Sequence, residues 1–204
     1  MAKQKPSLLY LSGGMTFNSR QDYLQYLKNL EISLESSKKW NGEYLEEKLG
    51  SEFNLIRLRL PLKEYARYQD WKIVFEKYLT LVTTELVLVG FSLGAIFLAK
   101  YLAENSLKQK IRGVFLVAPP FDDRLKGESL AGGFKLPKSL KRLDESAAVV
   151  RLYFSDDDPI IPLAQAREYQ KRLTKAQVKI SSRGQGHFQM PSFPELIREI
   201  KKLA

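Results

Sequence analysis

Six short apolar runs recur along the chain: Ser7–Leu11, Phe53–Leu60, Leu86–Val89, Gly113–Ala118, Val149–Phe154 and Val178–Ser181. Leu86-Val87-Leu88-Val89 and Val114-Phe115-Leu116-Val117 are continuously apolar rather than alternating. A strand with one wet face alternates, and a strand covered on both faces need not. These runs therefore predict inner strands of a parallel sheet. Between them lie stretches with apolar residues at helical spacing: Arg20–Lys28, Lys38–Leu49, Glu64–Leu81, Leu93–Glu104, Pro162–Leu173 and Pro194–Leu203. Gly50 stops the second of these, and a proline opens each of the last two in its first turn. Trp71, Val74, Phe75 and Tyr78 share one helical face and are expected in the core. Strands alternating with helices build right-handed βαβ units. The expected architecture is α/β, with about six mostly parallel strands and helices on both faces.

Two stretches break this rhythm. Met15–Ser37 is long for a connection, and after its helix Leu30, Ile32 and Leu34 alternate as a short edge strand would. Phe121–Ala147, with Gly127, Gly132, Gly133 and Pro137, is too long for a plain turn and reads as a small cap or lid. No repeat or linker divides residues 1–204, so one domain is expected.

Composition narrows the chemistry. At 44% apolar and 27% charged residues the chain is neither disordered nor fibrous. It has no cysteine, which excludes disulfides, thiolate nucleophiles and thiolate metal sites and suits a reducing compartment. Its one histidine, His187, excludes multi-histidine metal centres. No apolar run approaches the roughly 20 residues that span a bilayer, and Ser7–Leu11 is too short for a signal-peptide core. A cytoplasmic protein with no membrane partner is expected. The charge is +10, from 33 Lys+Arg against 23 Asp+Glu. The positive residues are scattered rather than gathered into a patch interleaved with aromatics, so no nucleic-acid partner is expected. The net charge itself mildly favours an anionic substrate.

Gly90-Phe91-Ser92-Leu93-Gly94 fits G-x-S-x-G, and it stands between an apolar strand and a helix. That is the context of a nucleophile elbow, where a tight strand-to-helix turn lifts a serine hydroxyl clear of the sheet. The turn also aims the Leu93 N–H at a developing oxyanion. A serine hydroxyl needs a base within reach. His187, in Gly184-Gln185-Gly186-His187-Phe188, follows the last strand in a glycine-rich loop. The imidazole in turn needs an acid to fix its tautomer. Asp156, Asp157 and Asp158 compete for that role as strand Val149–Phe154 ends. Asp158 is preferred because Pro159 restricts its backbone, while Asp156 and Asp157 are expected to face solvent or cap the following helix. The order Ser92…Asp158…His187 is that of α/β-hydrolases. A second oxyanion donor is expected after the first strand, from the Gly14 N–H or its neighbour Met15, although Gly13-Gly14 also reads as a plain tight turn. Phe91, Phe121, Leu130 and Phe134 are candidate substrate-binding walls, with core packing the competing assignment for each.

On these residues the chain resembles small serine hydrolases of the α/β-hydrolase superfamily, of the retinoblastoma-binding-protein and YdeN types. The resemblance rests on Gly90–Gly94, on Asp157-Asp158-Pro159 with Pro162, on Gly186-His187-Phe188, and on Leu130-Ala131-Gly132-Gly133-Phe134 before Pro137. It implies a compact α/β-hydrolase fold and a triad at Ser92, Asp158 and His187. The first two strands of larger members are missing, and Ser12-Gly13 stands where many have His-Gly. The expected activity is hydrolysis of a small carboxylic ester or thioester, with amide hydrolysis open to the same machinery. No metal or organic cofactor is implied. A non-catalytic interaction module on the same fold is the alternative.

Overall fold

The computed structural model describes residues 4–34, 38–182 and 185–204. Among these residues six strands form one parallel sheet: β1 (Ser7–Leu11), β2 (Asn54–Arg57), β3 (Leu86–Phe91), β4 (Ile111–Val117), β5 (Val149–Ser155) and β6 (Gln177–Ser181). Their order is β2-β1-β3-β4-β5-β6. Every residue of β1 and β3 is buried, as their unbroken apolar runs require of strands covered on both faces. The outer strands β2 and β6 are partly exposed. The chain winds from β1 out to β2 and then back past β1 to β3. The order therefore reverses between β1 and β3, and a crevice opens there beyond the strands' carboxyl ends.

The helices are α1 (Arg20–Lys28), α2 (Leu45–Leu49), α3 (Tyr68–Leu81), α4 (Leu93–Glu104), α5 (Lys141–Asp144), α6 (Leu163–Arg172) and α7 (Pro194–Lys201). Helices cover both faces of the sheet; α2 packs on α7, and α4 packs on β3, β4 and α5. α4 is buried along nearly its whole length, with Phe97 wedged among aromatic rings of α3. The Phe97 ring centroid lies 5.8 Å from that of Trp71 and 5.4 Å from that of Phe75. Each such pair adds about 0.5–1.5 kcal/mol beyond the area it buries.

Four expectations need correction. The expected strand Phe53–Leu60 shortens to Asn54–Arg57, because β1 offers partners only from Ser7 to Tyr10 and the chain turns at Pro61 and at Leu62, whose φ is 46°. The expected helix Glu64–Leu81 divides into a 3₁₀ turn at Lys63–Tyr65 and α3. The N–H of Ala66 is taken by the Met15 carbonyl and that of Tyr68 by the Gly132 carbonyl, so neither joins a continuous helix. The expected helix Lys38–Leu49 begins as one wide π-type turn at Trp40–Tyr44, broken by Gly42 at ψ −136°. Leu30, Ile32 and Leu34 form no strand and stay exposed; alternation supplied a pattern but no neighbouring ladder. The end of the Met15–Ser37 stretch, positions 35–37, lies outside the described residues.

Residues 121–147 are mostly irregular and tied down at several points. The Thr16 hydroxyl donates to the Ser129 carbonyl at 2.6 Å and accepts from the Ala131 N–H at 2.8 Å. Leu130, Phe134, Leu140 and Leu143 are buried beneath it.

Candidate active site

β3 ends at Phe91 and α4 begins at Leu93, so Ser92 alone makes the turn between them. Its φ is 51° and its ψ −118°, a conformation that costs an L-residue on the order of 1–3 kcal/mol. Neighbouring contacts hold it there. The Ser92 N–H donates to the Val117 carbonyl at 2.8 Å, and its carbonyl accepts from Ala95 and Ile96. A Cβ on Gly90 would lie 2.6 Å from the Gly94 carbonyl oxygen, and one on Gly94 would lie 2.5 Å from that of Leu11. Both flanking glycines are therefore required by close backbone approach.

The other two candidates meet beside this turn. β5 ends at Ser155, and Asp158 follows with its side chain almost fully enclosed. Asp158 Oδ1 accepts the N–H groups of Ile160 at 2.8 Å and Ile161 at 2.9 Å. Its Oδ2 lies 2.8 Å from His187 Nδ1. A carboxylate there fixes the proton on Nδ1 and leaves Nε2 as the basic nitrogen. The imidazole lies against Phe91, with ring centroids 5.2 Å apart, so it sits next to the residue preceding Ser92. Among the described residues, neither His187 Nε2 nor the Ser92 hydroxyl forms a hydrogen bond.

Opposite the elbow, a Cβ on Gly13 would stand 3.2 Å from Ser92 Cβ. The loop after β1 thus passes directly over the serine. Of the two expected donors there, Met15 is unavailable, because its N–H is given to the Lys63 carbonyl at 2.7 Å. The Gly14 N–H has no acceptor among the described residues. Leu93 occupies the first position of α4, where a helix leaves its N–H unsatisfied.

The candidate walls separate. Phe91 is at the site. Phe134 is fully buried, with its ring 5.3 Å from Trp71 and 5.9 Å from Tyr68, and belongs to the core. Leu130 is likewise enclosed. Phe121 packs edge-on to Tyr169 of α6 at 5.0 Å, with the Arg172 guanidinium over its face. Asp156 and Asp157 are exposed, as expected, and the N-cap position of α6 is held by Pro162, which makes no side-chain capping bond. Asp157 instead accepts the Gly186 N–H at 2.9 Å and the Ser155 hydroxyl, pinning the histidine loop to the acid loop. Gly184 of that loop lies outside the described residues.

Sequence reasoning missed Trp40. It is fully buried, and its indole N–H donates to the Phe188 carbonyl at 2.9 Å. It also missed Glu128, a partly buried carboxylate close enough to His187 and Asp158 to feel both charges. A tryptophan beside a glycine break was the only signal for the first; a lone acid in a polar loop gave none for the second.

Several known proteins are similar to this chain. The rat serine hydrolase RBBP9 is 27% identical over 165 residues, covering 80% of this chain and 84% of the relative. The ydeN gene product of Bacillus subtilis superposes with a TM-score of 0.71 at 18% identity, covering 97% of this chain and 98% of that one. A YdeN-like hydrolase of Pectobacterium atrosepticum gives 0.67 at 15% identity, over 98% and 91%. The two structures share the α/β-hydrolase fold with this chain. A family model described as serine hydrolase matches residues 35–197, and the chain therefore belongs to the serine hydrolase family.

Proposed function

We propose that this chain hydrolyses small carboxylic esters or thioesters through Ser92, His187 and Asp158. The observation that carries the reading is the buried 2.8 Å contact between His187 Nδ1 and Asp158 Oδ2 beside a serine held at positive φ. Ser92 Oγ attacks the acyl carbon while His187 Nε2 takes its proton. The negative charge that develops on the acyl oxygen is met by the Leu93 N–H, reinforced by the N-terminus of α4, and by the Gly14 N–H. Asp158 stays ionised and balances the imidazolium. The imidazolium then protonates the departing alcohol or thiol, leaving an acyl-serine. A water that gives its proton to His187 attacks that acyl carbon, and collapse returns the Ser92 hydroxyl and frees the acid.

A fluorophosphonate probe tests this directly. The expected outcome is stoichiometric labelling at Ser92, abolished by Ser92→Ala and strongly reduced by His187→Ala, with both variants folded. A folded wild-type chain that resists the probe and cleaves no p-nitrophenyl ester or acyl thioester would instead be the interaction module. Esters and thioesters of graded acyl length then define the substrate.

A further inference from the structure

A cavity of about 800 Å³ opens between the loop after β1 and the acid loop, walled by Met15, Phe17, Tyr26, Glu128, Ser129 and Ile160. Met15 lies two residues beyond Gly13, which passes over Ser92, and Ile160 is one of the two residues whose N–H groups hold Asp158. The cavity therefore borders the two segments that flank the proposed catalytic groups. Its Glu128 wall is held in place from both sides. The Ser129 carbonyl and hydroxyl bond Thr16, and the Lys126 N–H donates to the Ile160 carbonyl at 3.1 Å.

Glu128 is the anomaly in this wall. The chain has ten more basic than acidic residues, yet no hydrogen bond or ion pair reaches this carboxylate from any described residue. Lys126, also in the wall, is exposed and unpaired with it. Asp22, the other acid there, is already engaged: its Oδ2 accepts the Ser19 N–H in the capping box of α1. A partly buried carboxylate without a partner is costly, and a cation supplied from outside relieves that cost. The aromatic lining suits the same visitor. Phe17 lies 5.4 Å from Tyr26 and 5.3 Å from Tyr23, and the outer rings of this cluster already carry cations on their faces, Arg20 over Tyr23 and Arg67 over Tyr65.

We propose that this cavity is a subsite for an ammonium group on the substrate, with Glu128 as its counter-charge and Phe17 and Tyr26 as its aromatic walls. The assignment rests on the catalytic reading above for its role in hydrolysis, and it opposes the anionic substrate that net charge alone favours. Burial already holds the Glu128 carboxyl above its ordinary value, with His187 opposing that rise and Asp158 adding to it. A bound ammonium would oppose that rise.

Binding tests the subsite separately from catalysis. The probes are 4-phenylbutylamine, 4-phenylbutan-1-ol and 4-phenylbutanoate, titrated into Ser92→Ala protein by NMR at pH 7. The amine is expected to bind about tenfold tighter than the alcohol and to shift resonances of Tyr26 and Glu128. The carboxylate is expected to bind weakest. Glu128→Gln should bring amine and alcohol to equal affinity, and Glu128→Asp should keep part of the difference. Equal binding of all three probes to the Ser92→Ala protein, or an amine preference that survives Glu128→Gln, overturns the proposal. Because Ser92 is absent from these titrations, that failure stands apart from a failure of fluorophosphonate labelling.

Discussion

The indole N–H of Trp40 holds the carbonyl of Phe188, so the residue after His187 hangs from a side chain 148 positions earlier. Phe188 sits at a φ of 50°, and Trp40 packs edge-on against both Phe91 and Phe193. The packing and the hydrogen bond can be separated. Trp40→Phe keeps most of the ring contact and leaves the Phe188 carbonyl without its donor, a cost of about 1–3 kcal/mol. The expected result is a folded protein with a lower melting temperature and a kcat about tenfold down, with KM little changed. Steady-state kinetics on a p-nitrophenyl ester together with calorimetry reads both. An unaltered kcat would mean that the histidine loop does not depend on this bond.

Neighbouring aspartates carry different burdens. Asp158 contacts the imidazole, whereas Asp157 holds the Gly186 N–H and so positions the loop. Asp158→Asn can still accept the Ile160 and Ile161 N–H groups, but its amide presents the wrong partner to Nδ1. If the proposed triad operates, a loss of about 10³–10⁴ in kcat is expected with the fold intact, as for catalytic triads that lose their acid. Asp157→Ala should cost about tenfold, and its defect should shrink in Asp157→Asn, which retains an acceptor. Comparing kcat across these three variants checks the assignment, and a larger loss at Asp157 would reverse the two roles.

Legibility followed the range of the interactions. The bounds of α1 and α4 and the elbow between β3 and α4 were readable because their causes are local: a capping Ser19, an unbroken apolar strand, and glycines two residues either side of Ser92. Chain order likewise suggested which acid and base to pair with that serine. Commitments made across the chain were not readable. The Met15 N–H is spent on Lys63, the Ala66 N–H on Met15, and the Gly186 N–H on Asp157. Each is a choice among equivalent backbone donors that only the assembled fold makes. Phe134 shows the same limit, since an aromatic in a glycine-rich loop reads alike whether it lines a cleft or fills the core.

Gly94 offers a stability test of the elbow. Its missing Cβ leaves room for the carbonyl oxygens of Leu11 and Ser12, which a methyl would approach to 2.5 and 2.6 Å. Both belong to backbone at the end of β1, which pairs with Gly90 on β3, so neither can move without disturbing the central ladder. Gly94→Ala is expected to destabilise the fold by about 3 kcal/mol, the upper end for overpacking. At roughly 2–4 °C per kcal/mol in a chain of this size, the melting temperature should fall by about 6–12 °C. Differential scanning calorimetry measures it. A shift under about 2 °C would show that the β1 loop yields more easily than its register implies.

Asp144 gives the fold a pH dependence independent of the candidate active site. Burial alone would raise its carboxyl, but the N–H groups of Thr174, Ala176 and Lys175 and the Thr174 hydroxyl outweigh burial and hold it below its ordinary value. These bonds clamp α5 to the segment that leads from α6 into β6, each at 2.8 to 3.1 Å. A carboxyl depressed in the folded state binds its proton more readily once unfolded. The stability it contributes is therefore complete above the unfolded value of about 3.9 and drains away as pH falls through the folded one. Asp144→Asn should thus cost about 2 kcal/mol at pH 7, since its amide nitrogen cannot accept the donors it would face. The gap between wild type and variant should narrow below about pH 4. Urea unfolding at pH 7, 5, 4 and 3 in about 0.3 M salt, which screens the exposed ion pairs, isolates this contribution. A gap that stays constant from pH 7 to pH 3 would assign the loss to packing instead of charge.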